Sequence, residues 1–162
     1  MTFPITIVVD RIANVEGFPL ISGNISFSKI KSGEYADKDP QNVKPEAHII
    51  DTENDWNLIL DRIKSDLDKS SIPPIDFNNN AALAYFFGTT GTGGNKYKIR
   101  RVEGVSNTLT IFLTIEFVAG PLDVVTSPYL IISIPKTSHK KVIFEIIEGN
   151  KESTELYQFE NS

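Results

Sequence analysis

Residues 86–102, FFGTTGTGGNKYKIRRV, combine the groups most able to bind an anion or an acidic partner. The stretch 88–94 consists only of glycine and threonine, so we expect its backbone N–H groups to be partly exposed. On the strand predicted to follow, basic side chains alternate with Tyr97 and Ile99. The predicted ligand- or partner-binding residues are Thr92, Gly93, Gly94, Lys96, Tyr97, Lys98 and Arg100.

The phosphate-binding loop of nucleotide-binding proteins does not fit this stretch. Gly88 and Gly93 have the outer spacing of that motif, but Gly94 and Asn95 occupy the places of its lysine and its serine or threonine. A strand rather than a helix is predicted to follow, so no helix N-terminus supports the loop. Two interpretations stay open: an anion or acidic-partner site, or a strand connection with a positive φ at Gly93 or Gly94 beside a solvated basic face.

The sequence shows no arrangement typical of a catalytic or metal site. His48 and His139 are the only histidines, neither has the spacing of a metal-ligand pair, and there is no cysteine. No serine lies in a G-x-S-x-G motif, and Asp76 has no second carboxylate that would let it act as a catalytic acid. We therefore expect no enzymatic activity, no metal and no cofactor.

The composition indicates one globular domain over residues 1–162, with 40% hydrophobic and 23% charged residues. A formal net charge of −5 disfavours a broad nucleic-acid-binding surface. No apolar run approaches the ~20 residues of a membrane-spanning helix, and the first ten residues lack the positive start of a signal peptide. Residues 149–162 are predicted to be a polar C-terminal tail.

Short β-branched and aromatic runs between turn residues predict strands along most of the chain. Residues 81–87, AALAYFF, do not alternate, so we expect this strand to be buried on both faces. The two strands on either side of residues 103–107 are predicted to form a hairpin. The predicted strands are residues 3–9, 23–30, 46–50, 81–87, 96–102, 109–117, 127–135 and 140–147.

One segment, residues 51–70, has helical periodicity instead. Thr52 is the predicted N-cap, Asp51 and Asp55 are interpreted as helix-start residues, and Trp56 is predicted to anchor the helix in the core. The apolar stripe consists of Trp56, Ile59, Leu60, Ile63 and Leu67. The predicted fold class is α+β and mainly antiparallel: a sandwich or curved sheet of seven to eight strands with one amphipathic helix.

The order of motifs over residues 22–144 resembles the PrcB family, the C-terminal domain of a protease complex subunit. The residues that match its pattern are Asp76, Phe77, Thr92, Gly93, Gly94, Tyr97, Ile99, Pro128, Tyr129, Pro135 and Lys136. In the family pattern the tyrosine follows the paired glycines directly, whereas Asn95 and Lys96 intervene here. The turn at this place is therefore longer than in the family pattern.

This resemblance implies a non-catalytic bacterial accessory module that binds another protein, such as a protease, in the periplasm, at the cell surface or after secretion. The alternative is a domain that binds a small ligand or anion through the Thr/Gly loop and the adjacent basic strand. Phe112 lies on the polar face of its predicted strand, together with Thr110 and Thr114. A flat patch around such an aromatic residue would favour a protein partner, and a pocket at the loop would favour a ligand.

Overall fold

Two β-sheets and one helix make up the described part of the chain, which comprises residues 5–33, 44–63, 72–89, 96–116 and 126–148 of the computed structural model. The elements are β1 (Ile5–Asp10), β2 (Gly23–Ile25), β3 (Ser28–Gly33), β4 (Glu46–Ile50), α1 (Glu53–Arg62), β5 (Asn80–Phe86), β6 (Lys96–Val105), β7 (Thr108–Glu116), β8 (Tyr129–Pro135) and β9 (Lys141–Glu148). The predicted β-rich α+β class is confirmed.

The strands form a five-stranded sheet in the order β1-β9-β7-β6-β2 and a four-stranded sheet in the order β3-β8-β5-β4. All pairings are antiparallel except that of β7 with β9, which is parallel. The predicted hairpin is present as β6 and β7, with a tight turn at Ser106 and Asn107. Ser106 has a positive φ of 51° in that turn.

The strand predicted over residues 23–30 is divided between the two sheets. β2 pairs with β6 in one sheet, and β3 pairs with β8 in the other. Ile25 is buried and Phe27 packs on the same core, so the predicted apolar face is correct. Alternation predicts which face of a strand is buried but does not identify the strand it pairs with. Because the predicted strand over residues 23–30 forms both β2 and β3, the described chain has nine strands where eight were predicted.

Side chains from both sheets meet in one core. From the five-stranded sheet, Leu109, Ile111 and Leu113 of β7 are fully buried there. β5 is buried on both faces, as predicted: Leu83 and Tyr85 face this core, and Ala84 faces the helix side. The small alanines of β5 leave room for the helix to approach the sheet closely.

The helix α1 covers the side of the four-stranded sheet that points away from the five-stranded sheet. Thr52 is its N-cap, and its Oγ1 accepts a hydrogen bond of 3.2 Å from the Asp55 N–H, as predicted. Trp56 is only 4% exposed and lies 6.3 Å from the Phe77 ring between centroids. The sheet residues that it and its neighbours pack against are Ile50, Ala82, Ala84, Phe86, Tyr129 and Ile131. Leu67 of the predicted stripe lies outside the described residues.

Trp56→Ala is expected to lower the free energy of unfolding by about 3–5 kcal/mol, because it removes the largest side chain between α1 and the sheet. Leu58→Ala on the same helix is the matched control, since Leu58 is 67% exposed. That control should change stability by no more than about 0.5 kcal/mol. Chemical denaturation of both variants measures the difference; equal midpoints would show that Trp56 is not the anchor.

Candidate functional site

The structure describes only part of the predicted binding site. Thr92, Gly93 and Gly94 lie outside the described residues, so the expected positive φ at one of these glycines stays a prediction. At the start of the same loop, Gly88 is buried and has a positive φ of 79°. The chain therefore does leave β5 through a conformation that favours glycine.

The strand β6 sends its predicted site residues to opposite faces. Lys98 and Arg100 are exposed on the outer face of the five-stranded sheet. Tyr97 packs towards the core, where its ring lies 4.3 Å from that of Phe87 between centroids. Tyr97 therefore helps to fix the strand, while Lys98 and Arg100 are exposed on the surface.

A β-bulge at Arg100 changes which side chains reach this outer face. The pairing of β6 with β7 shifts between Ile99 and Arg101, so Arg100 is the extra residue. Arg100 Nε donates to Thr114 Oγ1 over 3.2 Å. The Arg101 guanidinium carbon lies 4.3 Å from the Phe112 ring centroid. Strict alternation predicted Lys96, Lys98 and Arg100 on this side, and the bulge adds Arg101.

Phe112 lies near the middle of the outer face of the five-stranded sheet. In the strand register, Phe112 is paired with Arg101 of β6 on one side and with Glu145 of β9 on the other. Glu145 is paired in turn with Thr6 of the edge strand β1. We call this surface the outer face; its members are Thr6, Val8, Ile143, Glu145, Thr110, Phe112, Thr114, Lys98, Arg100, Arg101 and Glu103.

At one end of the two sheets, a buried ion pair joins segments that are distant in sequence. Arg11 donates to both carboxylate oxygens of Asp51, over 2.9 Å and 2.6 Å. Its Nη1 also donates to the carbonyls of Thr137 and His139, over 2.8 Å and 3.3 Å. Both members of the pair are buried. Asp51 lies directly before the N-cap Thr52, as predicted, but its position at the helix start is not the whole account, because its carboxylate also holds Arg11.

His139 is fully buried beside this ion pair. Its Nδ1 lies 2.8 Å from Thr137 Oγ1. Burial and, to a smaller extent, the charge of Arg11 lower the pKa of His139, while the Ile21 carbonyl opposes the shift. Gly104 allows this packing, because a Cβ there would overlap the Ile21 carbonyl and lie 2.9 Å from His139 Nε2.

His48 lies on β4, the edge strand of the four-stranded sheet, and lines a cleft between this strand and α1. Its ring meets the edge of the Phe86 ring, with 5.6 Å between centroids, and partial burial lowers its pKa. Glu46 forms an ion pair with Arg62, whose guanidinium carbon stacks 3.9 Å from the Phe86 centroid. His48 Nε2 lies 3.4 Å from Glu46 Oε1 but makes no hydrogen bond within the described part of the chain.

Neither histidine belongs to a metal site in the described ranges, where no group of three or more potential ligands occurs. The described residues also contain no helix that is long and apolar enough to cross a membrane. Comparison of the chain with protein-family models, with curated proteins and with solved structures gave no match. The resemblance to the PrcB family therefore stays an expectation from the sequence motifs.

Asp51→Ala is expected to lower the free energy of unfolding by about 3–5 kcal/mol, because it leaves the Arg11 guanidinium buried without a counter-charge. Asp61→Ala, which removes an exposed carboxylate from α1, should change stability by about 0.5 kcal/mol or less. Urea denaturation of the two variants provides the test. A similar loss of unfolding free energy in both variants would show that the buried ion pair of Asp51 contributes no more to stability than an exposed carboxylate does.

The protein is expected to lose stability as the pH falls through about 6.5, the ordinary histidine pKa. Burial lowers the pKa of His139 and of His48 in the folded chain, so the unfolded chain binds protons more tightly in this window. His139→Gln should flatten the slope of unfolding free energy against pH between the folded and unfolded pKa values. An unchanged slope in both His139→Gln and His48→Gln would contradict this assignment.

Proposed function

We propose that this chain is a non-catalytic, protein-binding accessory module of bacteria that acts outside the cytoplasm. The resemblance to the PrcB family supports the accessory role and the location. The observation that carries the binding role is the outer face, on which Phe112 is held under Arg101. The described part of the chain contains a single helix, and it covers the other sheet.

The chemistry of the outer face suits contact with a protein. Interface centres are enriched in aromatic residues and arginine, which supply most of the binding energy. Phe112 and Arg101 provide both, with Thr110 adjoining on the same strand; Thr114 is buried and accepts a hydrogen bond from Arg100. Arg101 Nε also lies 3.2 Å from Glu103 Oε2, so the guanidinium is held in position before binding. Such preorganisation reduces the entropy lost on association.

The basic residues lie at one end of the same face. Lys98 and Arg100 are exposed near the start of β6, beside the Phe112 and Thr114 positions of β7. Charges at the rim of an interface act mainly on the rate of association and on specificity. An acidic patch on the partner would therefore match this end of the outer face.

Binding of an anion or small ligand is the second candidate function. The exposure of Lys98 and Arg100 directly after the Thr/Gly loop favours it. In this case the basic residues would dominate the affinity and Phe112 would contribute little. Protein binding therefore predicts that loss of Phe112 weakens the affinity more than loss of the basic residues does. Binding of an anion or small ligand predicts the reverse.

The test is capture of partners from the envelope fraction of the source cells, followed by binding measurements with the purified partner. Phe112→Ala is expected to weaken binding by about tenfold or more, as loss of a central aromatic does. The control Leu20→Ala removes an exposed apolar residue elsewhere and should have little effect. Binding that survives Phe112→Ala unchanged would exclude the outer face as the partner surface.

Replacing Lys96, Lys98 and Arg100 together by glutamine separates the two functions. If a protein partner binds the outer face, this variant should weaken binding modestly and reduce its salt dependence, since exposed charges are screened beyond about 8 Å at physiological ionic strength. Stability should change by about 0.5 kcal/mol or less. Complete loss of binding in this variant, with Phe112→Ala unaffected, would support the anion site instead.

A further inference from the structure

Two clefts meet at His48 and form one groove. The first, of about 350 Å³, lies between the segment that follows β1, the strand β4 and the start of α1. The second, of about 390 Å³, lies between β4 and the outer side of α1. His48, Ile49 and Asp55 line both clefts. We call the combined cleft the His48 groove.

The groove exists because two edge strands meet without pairing. β1 is the edge of the five-stranded sheet and β4 is the edge of the four-stranded sheet. Arg11 and Asp51 directly follow these strands, and their ion pair holds the two C-terminal ends together. The groove begins at this buried pair and continues along α1, so buried contacts fix its base beside the segment that follows β1.

The groove has a net negative charge after its internal ion pairs are counted. Arg11 is neutralised by Asp51, and Arg62 by Glu46. The remaining charged groups of its lining are the exposed side chains of Asp10 and Asp55. Neither carboxylate pairs with a basic side chain among the residues that the structure describes. A cationic group is therefore the complementary charge.

Apolar side chains stand exposed at both ends of the groove. Ile12 is 98% exposed at the end near β1, and Leu58 is 67% exposed at the end along α1. Exposed apolar groups beside a concave surface indicate a binding site more strongly than isolated ones do. Ala47 and Ile49 add apolar surface between these ends.

We propose that the His48 groove binds an extended segment of a partner protein, in which a lysine or arginine lies between apolar residues. The basic side chain lies between Asp10 and Asp55, and the flanking apolar side chains contact Ile12 and Leu58. His48 lines both clefts with its ring, while its buried Nε2 faces Glu46 Oε1 at 3.4 Å and takes no part in binding. The groove shares none of the residues that define the outer face, although Asp10 follows Val8 on the same side of β1, and it does not require the outer face to bind anything.

The probe is a library of random peptides displayed on phage and selected against the immobilised full chain. We expect the selected peptides to share a lysine or arginine flanked by apolar residues. A representative peptide is then synthesised with a fluorescent label, and its affinity is measured by anisotropy at several salt concentrations. Selection of acidic or uncharged peptides, or of none, would overturn the proposal.

Variants of the groove test where the selected peptide binds. Asp10→Asn and Asp55→Asn should each weaken its affinity by about two- to fivefold, as expected for exposed ion pairs, and should reduce its salt dependence. Leu58→Ser should weaken it by about tenfold through lost apolar contact. The matched controls are Asp61→Asn and Leu20→Ser, which remove an exposed carboxylate and an exposed apolar residue outside the groove.

All these positions are exposed, so the variants are expected to fold, and thermal melts verify this. Affinity that is unchanged in the groove variants, or that falls equally in the controls, would overturn the site. Phe112→Ala should leave peptide affinity unchanged. Loss of peptide binding in that variant would move the peptide to the outer face, so failure of this proposal is distinguishable from failure of the proposed function.

Discussion

The buried ion pair between Arg11 and Asp51 determines how the two sheets meet. Removing two charges from water is costly and is offset only when the geometry is close to ideal. Here the guanidinium contacts both carboxylate oxygens and two backbone carbonyls. The pair thereby fixes the end of β1, the end of β4 and the loop between β8 and β9 relative to one another. Because Thr52 caps α1 directly after Asp51, the same pair also fixes where the helix begins.

A second basic residue, Lys136, connects the start of the helix to the segment before β5. Lys136 Nζ donates to the carbonyls of Phe77 and Asp51, over 2.6 Å and 3.2 Å. Phe77 packs beside Trp56, so the lysine connects the segment before β5 to the helix start. Asp76 closes the turn before β5 by accepting hydrogen bonds from the Asn79 side chain and the Asn78 N–H, which lower its pKa. The helix layer therefore depends on polar contacts at its margin as well as on its apolar stripe.

Local sequence patterns predicted the helix and the strands, whereas they did not predict the contacts between segments that are distant in sequence. Alternation and helical spacing identified the strands, the hairpin and the buried face of α1, because these depend on residues near one another in sequence. The bulge at Arg100 and the change of sheet after Ile25 depend on pairing partners, which a single sequence does not specify. The pairing of Arg11 with Asp51 spans 40 positions. Of the predicted site, Lys98 and Arg100 were correctly placed on an exposed face, and the inward position of Tyr97 follows from the same alternation.

The edges of the two sheets favour binding through side chains over binding by strand addition. An exposed strand edge readily pairs with another chain unless it is short, charged or covered. β2 has only three residues, and β3 carries Lys29 and Lys31. β1 and β4 face each other across the junction that Arg11 and Asp51 hold closed. Since each edge among the described strands is protected in one of these ways, we expect a partner to contact this part of the chain through side chains, as proposed for the outer face and the His48 groove, rather than by strand addition.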